Sequence, residues 1–479
     1  IIMKLLDLPL DILIDNILYN LDAQSLVHLA CTNKAFSQLI NDELLWKHRV
    51  FSDYNLPHDA SFRHSGWKQL YLKLKDSVVY TWGENMDGRL GHPPQVNAIN
   101  LRFRNRDVYD LIGQHHGRYA RQSDITAPKE LVSLRGKGIV DIVSSGWGFH
   151  ALDRHGHVWL WGRMHGDMVS RLSLGALLVS QPTLVQVPSQ IQAISCGRSH
   201  AIALGQDGSV WHWDNYQVVQ RIRVSKPIVQ VTANWGYSSL LTSEGKLIRI
   251  EHPDIVTNAE ETLPDLEINA EASGVTLQSI EADAKKNSLP FKSIEKGDKI
   301  VQMAGLEKCT LVLTRYGRVF KIWTELADPL TLTPATLTTE LTKYGATKPE
   351  LNEREGRNNR KMHRFVSAQF RNFAVYTADG KVLLGHQDHT AETEPEVLDQ
   401  LQHGICKVSF GDYHSGALTN QGDLLTWGAN SNGAIGHGES NVFVEPKTIP
   451  EAIPSLRNMF VFAIGFGGWQ SSALAIPRD

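Results

Sequence analysis

With 479 residues, the chain is long enough for one very large domain or for a small domain beside a large one. Its 42% hydrophobic and 21% charged residues are those of a globular protein, and a formal net charge of −3 lacks the basic excess expected of a nucleic-acid binder. The four cysteines, Cys31, Cys196, Cys309 and Cys406, form no CxxC pair, and no apolar run reaches the length of a transmembrane helix. These features argue against a zinc knuckle, a disulfide scaffold, a nucleic-acid partner and a membrane partner. They fit a reducing cytoplasm or nucleus, and the first residues lack the small-residue cleavage site of a secretory signal.

The front of the chain reads as helices. Leu10, Leu13, Ile14, Ile17, Leu18 and Leu21 fall on one helical face, and Pro9 just before them suits a first turn. Asp22 is a candidate N-cap for a second short helix carrying Leu26, Val27, Leu29 and Ala30. Thr32 or Asn33 would cap a third with Phe36, Leu39 and Ile40, and a last turn holds Leu44, Leu45 and Trp46. So few helices make a marginal core, and their apolar surface exceeds what they can cover. That predicts a partner surface.

From Val78 onward a short strand recurs: Val78–Gly83, Val158–Gly162, Val210–Asp214, Lys246–Ile250, Val319–Trp323, Lys381–Gly385 and Leu424–Gly428. Most copies are preceded by a strand–turn–strand segment, with hairpin turns such as Asp207-Gly208, Glu244-Gly245, Asp379-Gly380 and Gln421-Gly422. The first copy has the late strand without a preceding hairpin half, and the last segment, from Ile464, has the hairpin half without a late strand. Joined, the two ends make one unit, which predicts an all-β seven-bladed propeller closed by its termini.

Two resemblances follow from these residues. Leu8-Pro9, Ile12, Ile17-Leu18, Leu21, Leu26, Leu29, Cys31, Phe36 and Leu45-Trp46 resemble the F-box motif along its whole length, and Gly66–Tyr71 is similar to the short helix that often follows it. Thr81–His92 and Thr426–His437 resemble the WGxNxxGxLG signature of the regulator-of-chromosome-condensation repeats, whereas the middle copies depart from it. The resemblance implies a small α-helical F-box domain over residues 1–50, a linker with a short helix over 51–76, and a propeller over 77–479. An F-box implies a Skp-family adaptor and, through it, a cullin-RING ubiquitin ligase. The chain would then be the substrate-recognition subunit of an SCF complex, itself non-catalytic. The adaptor-facing residues would be Leu8, Pro9, Leu10, Ile12, Leu13, Ile17, Leu18, Leu21, Leu26, Leu29 and Trp46. The domain order is similar to that of the fungal SCF-associated factor family, which implies a protein client among enzymes of nucleotide metabolism. The competing readings are a simple helical cap on the propeller, nucleotide exchange on a small GTPase, and a tryptophan-based light sensor.

Three long departures interrupt the array, at about 93–128, 252–299 and 324–361. Loops of that length are usually functional or disordered, and at a similar phase of a repeat they tend to emerge on one face, the alternative being solvated padding. Arg102, Arg104 and Arg106 in the first, with Arg354, Arg357, Arg360 and Lys361 in the third, are therefore candidate client-binding residues. The second is acidic. No Walker loop, GxSxG elbow or HExxH helix occurs, so neither a catalytic residue nor a cofactor is expected. His386 and His389 lack a third ligand for a metal, and His150, His200 and His414 share one repeat position that reads as packing.

Overall fold

The computed structural model describes residues 5–9, 12–57, 61, 63, 65–93, 123–164, 178–216, 218–251, 265–269, 274–323, 333–345, 364–438 and 445–478. Within the helical front end, α1 (Ala23–Ala30), α2 (Lys34–Ile40) and α3 (Glu43–Tyr54) each begin at a side-chain cap. Asp22 accepts from the Ser25 N–H at 2.7 Å, Asn33 from Phe36 at 3.0 Å, and Asp42 from Leu44 at 2.8 Å. The expected first helix is instead a wide π-helical turn, Leu13–Ile17, followed by a tight 3-10 turn, Leu18–Asn20. A regular α-helix would turn Leu13 and Ile17 inward together. The wide turn pairs Leu13 with Leu18, and both are buried. A further helix, α4 (Trp67–Lys73), packs on α3, and Asp53 accepts from Tyr71 Oη at 2.7 Å. Because α3 runs to Tyr54 and carries α4, the helical unit extends past the expected boundary at residue 50.

Seven sheets follow. Blade 1 is assembled from both ends of the chain, in the order Met459–Gly467, Gln470–Pro477, Val78–Gly83, Ile125–Glu130. Val78 to Gly83 pair residue by residue with Ala475 to Gln470. Blades 2 to 7 then start at the strands Ile139–Ser144, Ile191–Cys196, Ile228–Ala233, Ile300–Gly305, Phe365–Gln369 and Ile405–Phe410. These first strands line a central channel of roughly 170 Å³.

Neighbouring first strands do not pair with one another, so their inner backbone groups need other partners. Side chains supply them. Gln230 both donates to Met303 O at 3.0 Å and accepts from its N–H at 2.9 Å. Gln302 accepts from the Val366 N–H at 3.0 Å, and Ser409 from that of Phe466 at 3.1 Å. Blade 4 is thereby stitched to blade 5, blade 5 to blade 6, and blade 7 to blade 1.

The long departures are shorter than the sequence suggested. Residues 125–130 are the outer strand of blade 1, and Thr338–Glu340 is that of blade 5. Inside the second stretch, Leu266–Ile268 adds a parallel strand to blade 3, and α5 (Leu277–Lys286) opens with a Thr276/Ser279 capping box. These strands escaped the sequence reading because outer strands carry no alternating apolar pattern.

The shared blade has a measurable consequence. Ending the chain at Asn458 would leave Val78–Gly83 with one partner strand and an open edge. The truncated protein is expected to lose its cooperative thermal transition and to aggregate. An unchanged melting midpoint would contradict closure by the two ends.

Candidate functional site

In every blade the turn between first and second strands, and the end of the third strand, lie on one face of the ring. The hairpin between second and third strands lies on the other. The helical domain occupies the hairpin face. Asn55, in the left-handed conformation that stops α3, donates to Ile191 O at 2.9 Å and accepts from Gln206 at 2.9 Å, both in blade 3. Buried Arg63 donates to Asn420 O at 3.0 Å in blade 7 and lies 4.9 Å from the Phe460 ring in blade 1. Lys73 donates to Pro477 O at 3.1 Å, and Pro57 stands at the mouth of the channel. One continuous apolar core runs from Leu13 and Trp46 through Trp67 and Leu74 to Phe460 and Ile476. The two domains are therefore fused over blades 7, 1, 2 and 3.

The structure divides the residues expected to face an adaptor. Leu13, Leu18, Leu26 and Trp46 are fully buried in the domain's own core, and the Trp46 indole donates to Ile40 O at 2.5 Å. Here the sequence reading is corrected: these four hold the helices together and offer no surface. Pro9 and Ile12 are exposed, while Leu8, Ile17, Leu21 and Leu29 are half-buried. Leu10 lies outside the described residues. Four exposed apolar side chains, Leu5, Leu6, Val27 and Leu44, are not among the residues expected to face an adaptor. Val27 and Leu44 each sit one position before or after a buried core leucine, a signal that the helical period does carry.

Arg102, Arg104, Arg106, Arg354, Arg357, Arg360 and Lys361 lie outside the described residues. The described ends flanking the two clusters leave from opposite faces. The first stretch follows a third strand, and Asn85 on the turn face donates to Ser123 O at 3.4 Å. The second follows the fourth strand of blade 5, where Arg364 ties Tyr344 O at 2.7 Å and Gly317 O at 3.2 Å on the hairpin face. The shared repeat phase that joined them in the sequence does not hold.

On the face opposite the helical domain, the seven first turns form a ring. Blade by blade they present Trp469, Trp147, Arg198, Trp235, Glu307-Lys308, Phe370-Arg371 and Asp412-Tyr413. Arg198 ties the ring together: it pairs with Asp412 at 2.7 Å and stands 4.3 Å from the Trp147 ring, 4.6 Å from Trp235 and 5.3 Å from Phe370. The turns are pinned from behind by the residues after each third strand. Glu84 N donates to Trp469 O at 2.9 Å, Ala429 N to Tyr413 O at 2.8 Å, and Gln387 N to Arg371 O at 2.8 Å. Gly83 and Gly428, at φ +105° and +103°, abut the same carbonyls so closely that a Cβ would collide with them. Buried Lys321 donates to Gln387 O and His389 O, and Gln387 in turn holds Glu307 at 3.1 Å.

The repeat signatures are structural. In both, a threonine hydroxyl donates to the carbonyl nine residues on and meets a histidine eleven residues on: Thr81 with Leu90 and His92, Thr426 with Ile435 and His437. The recurrent histidines latch adjacent blades. His200 meets Ser238 at 3.1 Å and His414 meets Ser471 at 2.7 Å. Trp213 donates to His150 Nε2 at 3.0 Å, so the ring proton sits on Nδ1 and points at Cys196 Sγ, 3.2 Å away. Burial pushes the Cys196 thiol well above its ordinary value, so this pair is not an activated nucleophile. Among the described residues no three candidate ligands for a metal come together, and His389 bonds Tyr344 Oη at 2.7 Å.

The comparisons with known proteins agree with both halves. Residues 5–52 match the F-box-like domain, and residues 76–152 and 421–474 match the regulator of chromosome condensation (RCC1) repeat. The chain is an F-box-like domain joined to a seven-bladed RCC1-type propeller. It is 22% identical to F-box protein pof9 of Schizosaccharomyces pombe over 99% of this chain and 90% of that protein. It is 23% identical to SCF-associated factor 1 of Saccharomyces cerevisiae over 60% of this chain, spanning 43% of that relative. The crystal structure of Prp20p from Saccharomyces cerevisiae superposes with a TM-score of 0.56 at 14% identity, covering 88% of this chain and 96% of that one.

Burial holds the imidazole of His150 down to about 3 and that of His414 to about 4, against 6.5 in an unfolded chain. Below pH 6.5 the unfolded state binds these protons and the folded state does not, so stability is complete at neutral pH and falls on acidification. At pH 5 the loss is about 2 kcal/mol for each histidine. Thermal unfolding between pH 7 and pH 5 is expected to show it, and His414→Gln should flatten that dependence while lowering stability at neutral pH.

Proposed function

We propose that the chain is the substrate-recognition subunit of an SCF-type ubiquitin ligase. The F-box-like domain docks a Skp-family adaptor, which links it to a cullin-RING ligase. The propeller holds a protein client for ubiquitination and degradation. Catalysis here is proximity: holding the client raises the effective concentration of its lysines near the conjugating enzyme. The chain itself supplies no reacting group. An enzyme of nucleotide metabolism is the client class suggested by the likeness to SCF-associated factor 1, and the cytoplasm or nucleus is the compartment.

One observation carries the reading. The F-box-like domain has its own buried core and a back fused to the propeller, yet it still exposes Leu5, Leu6, Ile12, Val27 and Leu44. Such side chains on a small domain mark a binding surface. The alternative, nucleotide exchange on a small GTPase, draws only on the fold shared with Prp20p and gives the F-box-like domain no task.

Leu8→Ala with Pro9→Ala, or Ile12→Glu with Val27→Glu, is expected to weaken adaptor binding by about 2–4 kcal/mol. Titration calorimetry with a purified Skp-type adaptor measures this, and circular dichroism shows that the exposed substitutions leave the fold intact. Unchanged affinity would remove the adaptor assignment. GTPase exchange by the purified chain would favour the alternative.

A further inference from the structure

We propose that the ring of first turns opposite the F-box-like domain is the client-docking surface. Its occupant is an apolar, aromatic-bearing segment of a protein, recognised without phosphorylation. This rests on the receptor reading above and adds the face and the chemistry of the client.

Position argues for it first. The F-box-like domain covers the hairpin face over blades 7, 1, 2 and 3, through Asn55, Arg63 and Lys73. Among the described residues, the F-box-like domain does not reach the turn face, which lies on the other side of the ring. Composition comes next. Five of the seven turns bring an aromatic ring and two bring an arginine, the residue types that dominate binding hot spots. Of the rings, Phe370 is buried, while Trp147, Trp235, Tyr413 and Trp469 are at least partly exposed. Tyr413, 64% exposed, is the most exposed large apolar side chain among the described residues, and its ring stacks 6.3 Å from that of Trp469.

Electrostatics selects the occupant. A phosphate binds best to arginines whose charge no carboxylate has already met. Here Arg198 pairs with Asp412 and stands against three aromatic rings, and Arg371 binds both oxygens of Glu307. A phosphorylated segment would have to compete with these two carboxylates. A segment that offers apolar or aromatic side chains complements exposed Tyr413 and the partly exposed Trp147, Trp235 and Trp469. The ring is also rigid, since the backbone carbonyls of Trp469, Tyr413 and Arg371 are each hydrogen-bonded from the adjoining loop. Binding therefore orders little of the receptor, which favours affinity for a short segment.

The test uses the full chain in complex with its Skp-type adaptor, probed with random peptides displayed on phage. Enriched peptides should carry an aromatic residue. Their synthetic forms should bind Tyr413→Ala/Trp469→Ala at least about tenfold more weakly. They should bind Val229→Ala, an exposed position on the hairpin face, as they bind the parent. Phosphorylated versions should bind no more tightly. Tyr413→Ala alone, at a largely exposed position, keeps the test decisive if the double variant folds poorly. Acidic peptides unaffected by the turn substitutions, tighter binding on phosphorylation, or no enrichment at all would each overturn the proposal. Adaptor binding on the same preparations separates the two readings: if it persists, only the docking surface fails, and if it is absent, the receptor assignment fails first.

Discussion

The pairing of Val78–Gly83 with Gln470–Pro477 is the contact on which the rest depends. It joins the first strand of the propeller to the last across nearly the whole chain and gives Val78–Gly83 a partner strand on each side. It also fixes the F-box-like domain. Helix α4 ends a few residues before Val78, so that domain must sit near the seam, where Phe460, Phe462 and Ile476 complete its core. Closing the ring and seating the F-box-like domain are thus one packing event.

From that seam the two faces acquire different tasks. Antiparallel strands alternate direction, so each blade sends its hairpin to one face and its first turn to the other. The hairpin face carries the F-box-like domain, so the ring of first turns lies on the opposite side of the disc. Stiffness would serve the proposed receptor, because a client held at a fixed offset presents the same lysines each time. The stitching of first strands by Gln230, Gln302 and Ser409, and the histidine latches between blades, supply it.

The buried tryptophans and the half-exposed ones show how one residue type serves two ends. Trp82, Trp161 and Trp213 are buried between blades and contribute area to the core, and Trp82 and Trp213 also donate to Ala434 O and His150 Nε2. Trp147, Trp235 and Trp469 stand partly exposed on first turns, the first two beside Arg198 and the third stacked with Tyr413. In the sequence Trp82 and Trp161 sit beside glycine just as Trp147, Trp235 and Trp469 do, so the neighbouring residue does not tell the two kinds apart.

The sequence by itself determined the architecture. The glycine turns and short apolar strands announced a blade seven times, the complementary ends announced closure, and Asp22 and Asn33 announced helix starts. These are local signals, because period and turn chemistry are set within a few residues of each other. Only the tertiary structure decided which apolar residues of the F-box-like domain turn inward, since a single wide turn shifts Leu13's buried partner from Ile17 to Leu18. It alone revealed that the two basic stretches depart from opposite faces. It alone gathered the turn residues into a ring, in which Arg198 and Asp412 meet at 2.7 Å although 214 residues separate them. No local pattern encodes that meeting, because it arises from the closure of the whole ring.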